Sequence, residues 1–377
     1  MATPSTPIFC SVRWPPIWLA LSLRWNRSRP PKTITSMDRT ATTSTDGSDV
    51  LALGQLLELT QAGREPAEKV QFTADGARLQ WLGEGALEVT PADGEDTGLD
   101  LVLSVGVHGC ETVPIELLDH LIQGIARGEI RPRSRLLLLF CNPPAMRQGA
   151  RRVGQDLNRL FCGKHANGTG DEARRAAQLE SLVAAFFSET GRRRWHYDLH
   201  SAMRASKLPQ FAISPWVADQ EVSPESLMRL RHAAVDAVLM QEKPAGTFSA
   251  LTATRHAAES FTLEVAEAPG GVWPGCLDVL LQAAKGWIEA VEPVQTHSSR
   301  QLGAFRIVRE IIKRSDSFVL RLPADIENFT PLSPGTLLAE DEGGVRWLVE
   351  EQGARILFPM ADVAIGERAG LIVVPSD

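Results

Sequence analysis

No run of about 18 apolar residues, the length a membrane-spanning helix needs, occurs in this chain. That argues against an integral membrane protein. Cysteine is scarce: Cys10, Cys110, Cys141, Cys162 and Cys276 are the five, and no CxxC occurs among them. Their spacing offers no thiolate zinc cluster, and their odd number no disulfide scaffold, so a reducing, cytoplasmic compartment is expected. Positive charge is also in deficit. Against 46 Asp and Glu stand 39 Lys and Arg, a net charge of −7 at pH 7, and such a surface is unsuited to nonspecific nucleic-acid binding. What the chain does have is bulk. Its 377 residues, 44% hydrophobic, suffice for two domains, or for one large domain with an appendage.

A local absence is sharper than any of these. Residues 1–37 contain no Asp or Glu, yet carry Arg13, Arg24, Arg27, Arg29 and Lys32. Five of the 39 basic residues and none of the 46 acidic ones thus lie here, which leaves −12 on residues 38–377. Six prolines and a Ser/Thr-rich tract up to Ser48 accompany them, and the apolar stretch Ile17 to Leu23 is short for a secretory core. A targeting peptide, a flexible tail and translated upstream sequence with the true start at Met37 are the competing readings. The last is the expectation, because nothing in the segment offsets the entropy of ordering it. The domain expectation is a leader over 1–49, a catalytic domain over 50–294 and a β-rich domain over 295–377.

From Val50 the texture is α/β. Leu99–Val107 and Arg135–Phe140 are apolar enough for strands buried on both faces. Trp195–Leu199, ending at His200, and Phe261–Val265 read as further strands. Helical spacing runs from Pro114 to about Ile125, over Glu172–Phe187, Pro224–Met240 and Leu277–Val291. The alternation predicts a sheet of partly parallel character with helices on both faces. After Pro293 short β-type runs take over, at Ala304–Ile311, Ser317–Leu322, Val345–Glu350, Ile356–Phe358 and Leu371–Val374.

Chemistry gathers where those strands end. His108-x-x-Glu111 follows the first strand and His200 closes a later one. Two imidazoles and a carboxylate form a catalytic zinc set that leaves the fourth tetrahedral position to water or substrate. Asp198 stands where it can orient such a ligand. Alone, HxxE reads equally as a loop histidine ahead of a glutamate in the first turn of a helix. Arg151-Arg152 and Asp156-Leu157-Asn158-Arg159 offer guanidinium forks to an anion, whereas Arg192-Arg193-Arg194 reads as a solvated basic stretch. Glu264 interrupts the apolar strand FTLEV: it is either an exposed edge residue or a buried carboxylate suited to proton transfer.

The blocks HGCETVPIELL (108–118), NPPAMRQGARRVGQDLNRLF (142–161), DLHSAMR (198–204) and TLEVAEA (262–268) resemble the succinylglutamate desuccinylase/aspartoacylase family. Their order and spacing match, and the likeness runs from about residue 50 to the C-terminus. VREIIKRSDSFVLRL (308–322), ENFTPLSPGTLLAED (327–341) and FPMADVAIGERAGLIVV (358–374) resemble its desuccinylase branch. The resemblance implies a zinc-carboxypeptidase-like mixed sheet covered by helices on both faces, with a C-terminal all-β module. It implies one Zn2+ per chain on His108, Glu111 and His200, and Glu264 as general base and acid. It further implies Arg151 as the group that polarises the scissile carbonyl, and Asn158, Arg159 and Arg204 as substrate-binding residues. The expected reaction is hydrolysis of N2-succinyl-L-glutamate to succinate and L-glutamate, the last step of arginine catabolism by the succinyltransferase route. The expected partner is then a small polyanion, not a nucleic acid or a membrane. Hydrolysis of another N-acyl amino acid such as N-acetylaspartate, trimming of a peptide C-terminus, and a non-catalytic metal-binding relative are the alternatives. Three departures from the family pattern stand out: Cys110 for the usual Asn, Arg152 for an aromatic, and Val265-Ala266-Glu267 for Leu-Gly-Lys. The last exchanges a positive charge for a negative one and bears on substrate preference.

Overall fold

The computed structural model describes residues 52–202, 204–268, 271–272, 275–291 and 301–376. The leader and the proposed start at Met37 lie outside the described residues. In chain order the strands begin with β1 (Val70–Phe72), β2 (Arg78–Gly83), β3 (Ala86–Thr90), β4 (Leu99–Val105) and β5 (Arg135–Phe140). They continue with β6 (Arg193–Ala202), β7 (Gln210–Ser214), β8 (Ala237–Met240), β9 (Glu259–Ala268) and β10 (Gly271–Val272). The C-terminal strands are β11 (Gly303–Ile312), β12 (Val319–Leu320), β13 (Thr330–Pro331), β14 (Leu337–Asp341), β15 (Val345–Leu348), β16 (Arg355–Leu357) and β17 (Arg368–Pro375). The helices are α1 (Leu56–Ala62), α2 (Thr112–Ala126), α3 (Pro143–Gln148), α4 (Asp171–Phe186), α5 (Pro224–His232), α6 (Phe248–His256) and α7 (Cys276–Glu289).

One mixed sheet organises the molecule, in the order β1-β2-β3-β5-β4-β6-β9-β7-β8-β11-β17-β16-β13, with β10 paired to β9. Its centre, β5-β4-β6-β9, is parallel. Every residue of β4 is buried, as its unbroken apolar run requires of a strand covered on both sides. On one face Leu101 and Leu103 pack with Leu118, Leu121 and Ile122 of α2 and with Trp287 and Ile288 of α7. On the other, Val102 and Leu137 meet Ala176, Leu179 and Val183 of α4 and Leu251 of α6. Each such fully buried leucine contributes about 2 kcal/mol by removal from water.

Two expectations are corrected. The helix expected over Pro224–Met240 stops at His232, and Ala237–Met240 is instead β8. Ala234 there takes a φ of 58°, a left-handed turn that carries no glycine to announce it in the sequence. Nor is Arg192 solvated: its side chain is only 10% exposed and pairs with Asp96 at 2.8 Å and with buried Asp100.

The C-terminal strands are joined to the main sheet. β11 pairs parallel with β8 on one side and antiparallel with β17 on the other, so the sheet passes directly into the β-rich region. β12, β14 and β15 form a separate three-stranded sheet. Ile311, Leu338, Ile356 and Ile372 pack into one core in this part. No helix among the described residues is long and apolar enough to cross a membrane.

Candidate metal centre and active site

Because β4, β6 and β9 are parallel, their carboxyl ends share one edge of the sheet, where sites form in open α/β folds. The backbone leaves β4 through Gly106 at φ 65°, a conformation that glycine adopts without strain. His108-Gly109-Cys110-Glu111 then closes a tight turn, with the Glu111 N–H donating to the His108 carbonyl at 3.2 Å. Gly109 lies against α3, and a Cβ there would stand 2.1 Å from the Ala145 backbone carbon. The turn therefore has no room for a side chain, and it brings His108 and Glu111 onto one side. Glu111 is the residue just before α2, which tolerates Pro114 in its first turn.

His200 enters from β6. In the parallel register of β6 and β9, His200 faces Glu264, and two residues earlier Asp198 faces Thr262. The period of two places Asp198 and His200 on the same face. Asp198 Oδ2 lies 3.1 Å from His200 Nε2, and Asp198 Oδ1 accepts from Ser104 Oγ at 2.6 Å.

His108, Glu111 and His200 are all buried, and their ligating atoms lie within 4.8 Å of one another. Glu111 is the hub. Its Oε1 is 2.8 Å from His108 Nδ1 and its Oε2 is 3.0 Å from His200 Nδ1. Each imidazole is backed on its other nitrogen by an aspartate, His108 Nε2 by Asp156 at 3.1 Å and His200 Nε2 by Asp198. With a metal bound, each aspartate would keep its histidine's Nε2 as donor and leave the Nδ1 lone pair to the ion. Burial would raise the Glu111 carboxyl, but the two histidines draw it well below its usual range. Burial likewise opposes charge on His200, yet Asp198 and Glu111 hold its pKa well above the usual value. A buried carboxylate in such a setting is a site built for positive charge.

Glu264 is half-buried beside this cluster. Burial, opposed by His200 and assisted by Glu111, pushes its carboxyl up to about 7. Arg151 stands between Glu111 and Asp156, 3.6 Å from each. Its loop is fastened by Glu172 in the first turn of α4, whose Oε1 accepts from the Val153 and Gly154 N–H groups at 2.8 and 2.9 Å. Asn158 is buried, and its Oδ1 accepts from the Phe248 N–H at the start of α6. Arg159 donates to the Asn158 carbonyl, and its charge acts on Asp156.

Arg204 is the exception. Its Nη1 donates to the carbonyls of Ala324 and Ile326, each at 2.8 Å. These bonds fasten the segment after β6 to the C-terminal part and occupy one nitrogen of the guanidinium expected to bind substrate. Tyr197 is fully buried and stacks on Trp287 at 4.0 Å, a packing role. Sequence reasoning assigned no part to Asp156, Ser104 or His196. Asp156 was visible inside the DLNR block, whereas Ser104 and His196, 2.8 Å apart behind Asp198, carry no motif.

A mixed α/β sheet with a buried His–Glu–His cluster able to hold a metal, and a perturbed glutamate beside it, defines a hydrolase of carboxypeptidase-like fold. Residues 97–287 match the profile of the succinylglutamate desuccinylase/aspartoacylase catalytic domain, and residues 300–376 match that of the AstE/AspA barrel-sandwich hybrid domain. The chain belongs to the succinylglutamate desuccinylase/aspartoacylase family. It is 54% identical to the succinylglutamate desuccinylase of Pseudomonas fluorescens over 330 residues, 87% of this chain and 98% of that one. Against the Pseudomonas aeruginosa protein of the same name it is 54% identical over 331 residues, 87% and 99% of the two chains. Its fold superposes on the crystal structure of the Vibrio parahaemolyticus succinylglutamate desuccinylase with a TM-score of 0.77 at 30% identity, covering 85% of this chain and 95% of that one.

Proposed function

We propose that this protein is a zinc-dependent amidohydrolase of the cytoplasm that splits N2-succinyl-L-glutamate into succinate and L-glutamate, the closing step of arginine breakdown by the succinyl route. The observation that carries the reading is the full-length likeness to proteins of that name, joined to a His108–Glu111–His200 cluster with Glu264 at its rim. Zinc held by those three residues would polarise the amide carbonyl and lower the pKa of a water towards neutrality.

The chain's own groups do the rest. Asp156 and Asp198 keep the two imidazoles in the tautomer whose Nδ1 faces inward. Glu264 takes a proton from the attacking water onto a carboxylate oxygen, and then gives it to the amine of the departing glutamate. Its carboxyl near 7 suits both halves of that transfer at neutral pH. Arg151, already in the field of Glu111 and Glu264, faces the oxygen on which negative charge develops and stabilises it. Arg159 and the Nδ2 group of Asn158, whose Oδ1 is held by the backbone, offer donors to a substrate carboxylate. These groups give an acidic protein a locally basic pocket for a trianion.

A comparison of kcat/KM on N2-succinylglutamate, N-acetylaspartate and a blocked dipeptide checks the assignment. Succinylglutamate should be preferred by at least about 100-fold, the scale of one lost charge-assisted hydrogen-bonded pair. A higher value on acetylaspartate would move the chain to the aspartoacylase side of the family.

A further inference from the structure

Behind His200 the core is polar. β6 sends His196, Asp198 and His200 to one face of the sheet, each two residues from the next. In register with them, β9 sets Ser260 beside His196, Thr262 beside Asp198 and Glu264 beside His200. On the other side β4 sets Ser104 beside Asp198. Over this face lies α6, whose Thr252 and Ser249 bond to His196 and Thr262. Ser104, His196, Asp198 and Thr252 are wholly buried, and burying polar groups is costly unless each finds a partner.

The partners form one line. Ser104 Oγ donates to Asp198 Oδ1 at 2.6 Å, and a hydroxyl has one proton to give. The 2.8 Å contact between Ser104 Oγ and His196 Nε2 is therefore a bond in which the imidazole donates. Burial lowers the pKa of His196 to about 4, so the ring is neutral and its Nδ1 accepts. The donor is the Thr252 hydroxyl, 2.8 Å from that nitrogen and farther, at 3.0 Å, from the Ser249 carbonyl. Ser260 Oγ, 2.8 Å from Thr252 Oγ1, supplies a proton to it in turn. From α6 inward, Thr252 donates to His196, His196 to Ser104 and Ser104 to Asp198. Hydrogen bonds that all point one way polarise and strengthen one another. The His196 ring is also set by packing, edge-on against Phe248 with centroids 4.8 Å apart.

Asp198 takes its aim from this line. One carboxylate oxygen is held by Ser104, and the other meets His200 Nε2 at 3.1 Å. With the first oxygen fixed, the second cannot swing away from the imidazole. His200 then points its Nδ1 toward Glu111, 3.0 Å away. Apolar residues of similar volume commonly serve a core as well as buried polar groups do, so stability alone does not call for such a line.

We propose that Ser104 and His196 are positioning residues of the metal centre: through Asp198 they hold the His200 ring in the orientation that presents Nδ1 to the ion. They act through Asp198 rather than by contact with the ion. The inference rests on the proposed zinc site.

The test measures zinc affinity of the metal-free full chain by competition with a chromophoric chelator, beside the melting temperature of the same samples. Ser104→Ala should raise the zinc Kd by about 10- to 100-fold, the usual effect of removing a partner behind a metal ligand. His196→Phe, which keeps a ring against Phe248, should raise it by about 3- to 10-fold, the scale of one neutral hydrogen bond. In the Ser104→Ala background His196→Phe should add nothing, because His196 acts only through Ser104. Melting temperature should behave otherwise. Ser104→Ala strands the His196 N–H and lowers it, whereas the double variant removes that N–H and regains part of the loss. A pair that served stability alone would move the melting temperature and leave the zinc Kd where it was. Unchanged zinc Kd in both single variants, or effects that add in the double variant, would overturn the proposal. If Ser104→Ala folds poorly, the double variant carries the measurement, and a wild-type Kd there overturns the proposal equally. A wild type that binds no zinc overturns the metal reading itself, an outcome seen before any variant is measured.

Discussion

Glu264→Gln is expected to lower kcat by about 1,000-fold, or about 4 kcal/mol of barrier, with zinc content unchanged. The amide has nearly the shape of the carboxylate and leaves the β9 register opposite His200 intact. It cannot take a proton from water or return one to the leaving amine. Because Glu264 is half-buried next to Glu111 and His200, no bulk-solvent base has equal access. KM should move little, since substrate carboxylates are held by arginines elsewhere in the pocket. Turnover by first-order product release and zinc by elemental analysis of the same sample check both halves. Full activity would remove Glu264 from the chemistry.

His200→Ala should act differently. Zinc content should fall to background, and activity should fall with it below the Glu264→Gln level. His200 lies 3.0 Å from Glu111, and its removal leaves the buried Glu111 carboxylate with one imidazole instead of two. Breaking such a buried pair costs about 3–5 kcal/mol, so the melting temperature should fall as well. That is the reverse of the Glu264→Gln pattern, in which only turnover is lost. The two variants together separate holding the ion from moving the proton. Retention of stoichiometric zinc by His200→Ala would contradict the ligand assignment.

Much of this was legible in the sequence, for identifiable reasons. β4 and β5 are covered on both faces, so burial wrote them as unbroken apolar runs, and β5 is read to the residue. His108, Glu111 and His200 could be paired because one tight turn and one strand end deliver them. The helix over Pro224–Met240 was overextended because its stop at Ala234 uses an alanine where glycine is the expected signal. The strands β1 to β3 are short and went unmarked: in β1 the polar Gln71 is buried while Val70 and Phe72 are exposed, the reverse of the usual pattern, and β2 is mostly only half-buried. Arg204 shows the deeper reason. A motif places a residue along the chain, but which groups its side chain meets is set by tertiary contacts such as those of Arg204 with the Ala324 and Ile326 carbonyls. Those are long-range facts that no local pattern carries. At the Val265-Ala266-Glu267 departure Val265 is core, and the side chains of Ala266 and Glu267 lie outside the described residues.

The central claim is that a metal held by His108, Glu111 and His200 serves the hydrolysis of a succinyl amide. Succinate release from N2-succinyl-L-glutamate, measured on the same protein as purified, after chelation and after zinc is returned, tests it most directly. Release that stops on chelation and resumes with zinc is the predicted result. Undiminished release from protein shown by elemental analysis to hold no metal, or no release in any of the three states, would contradict it.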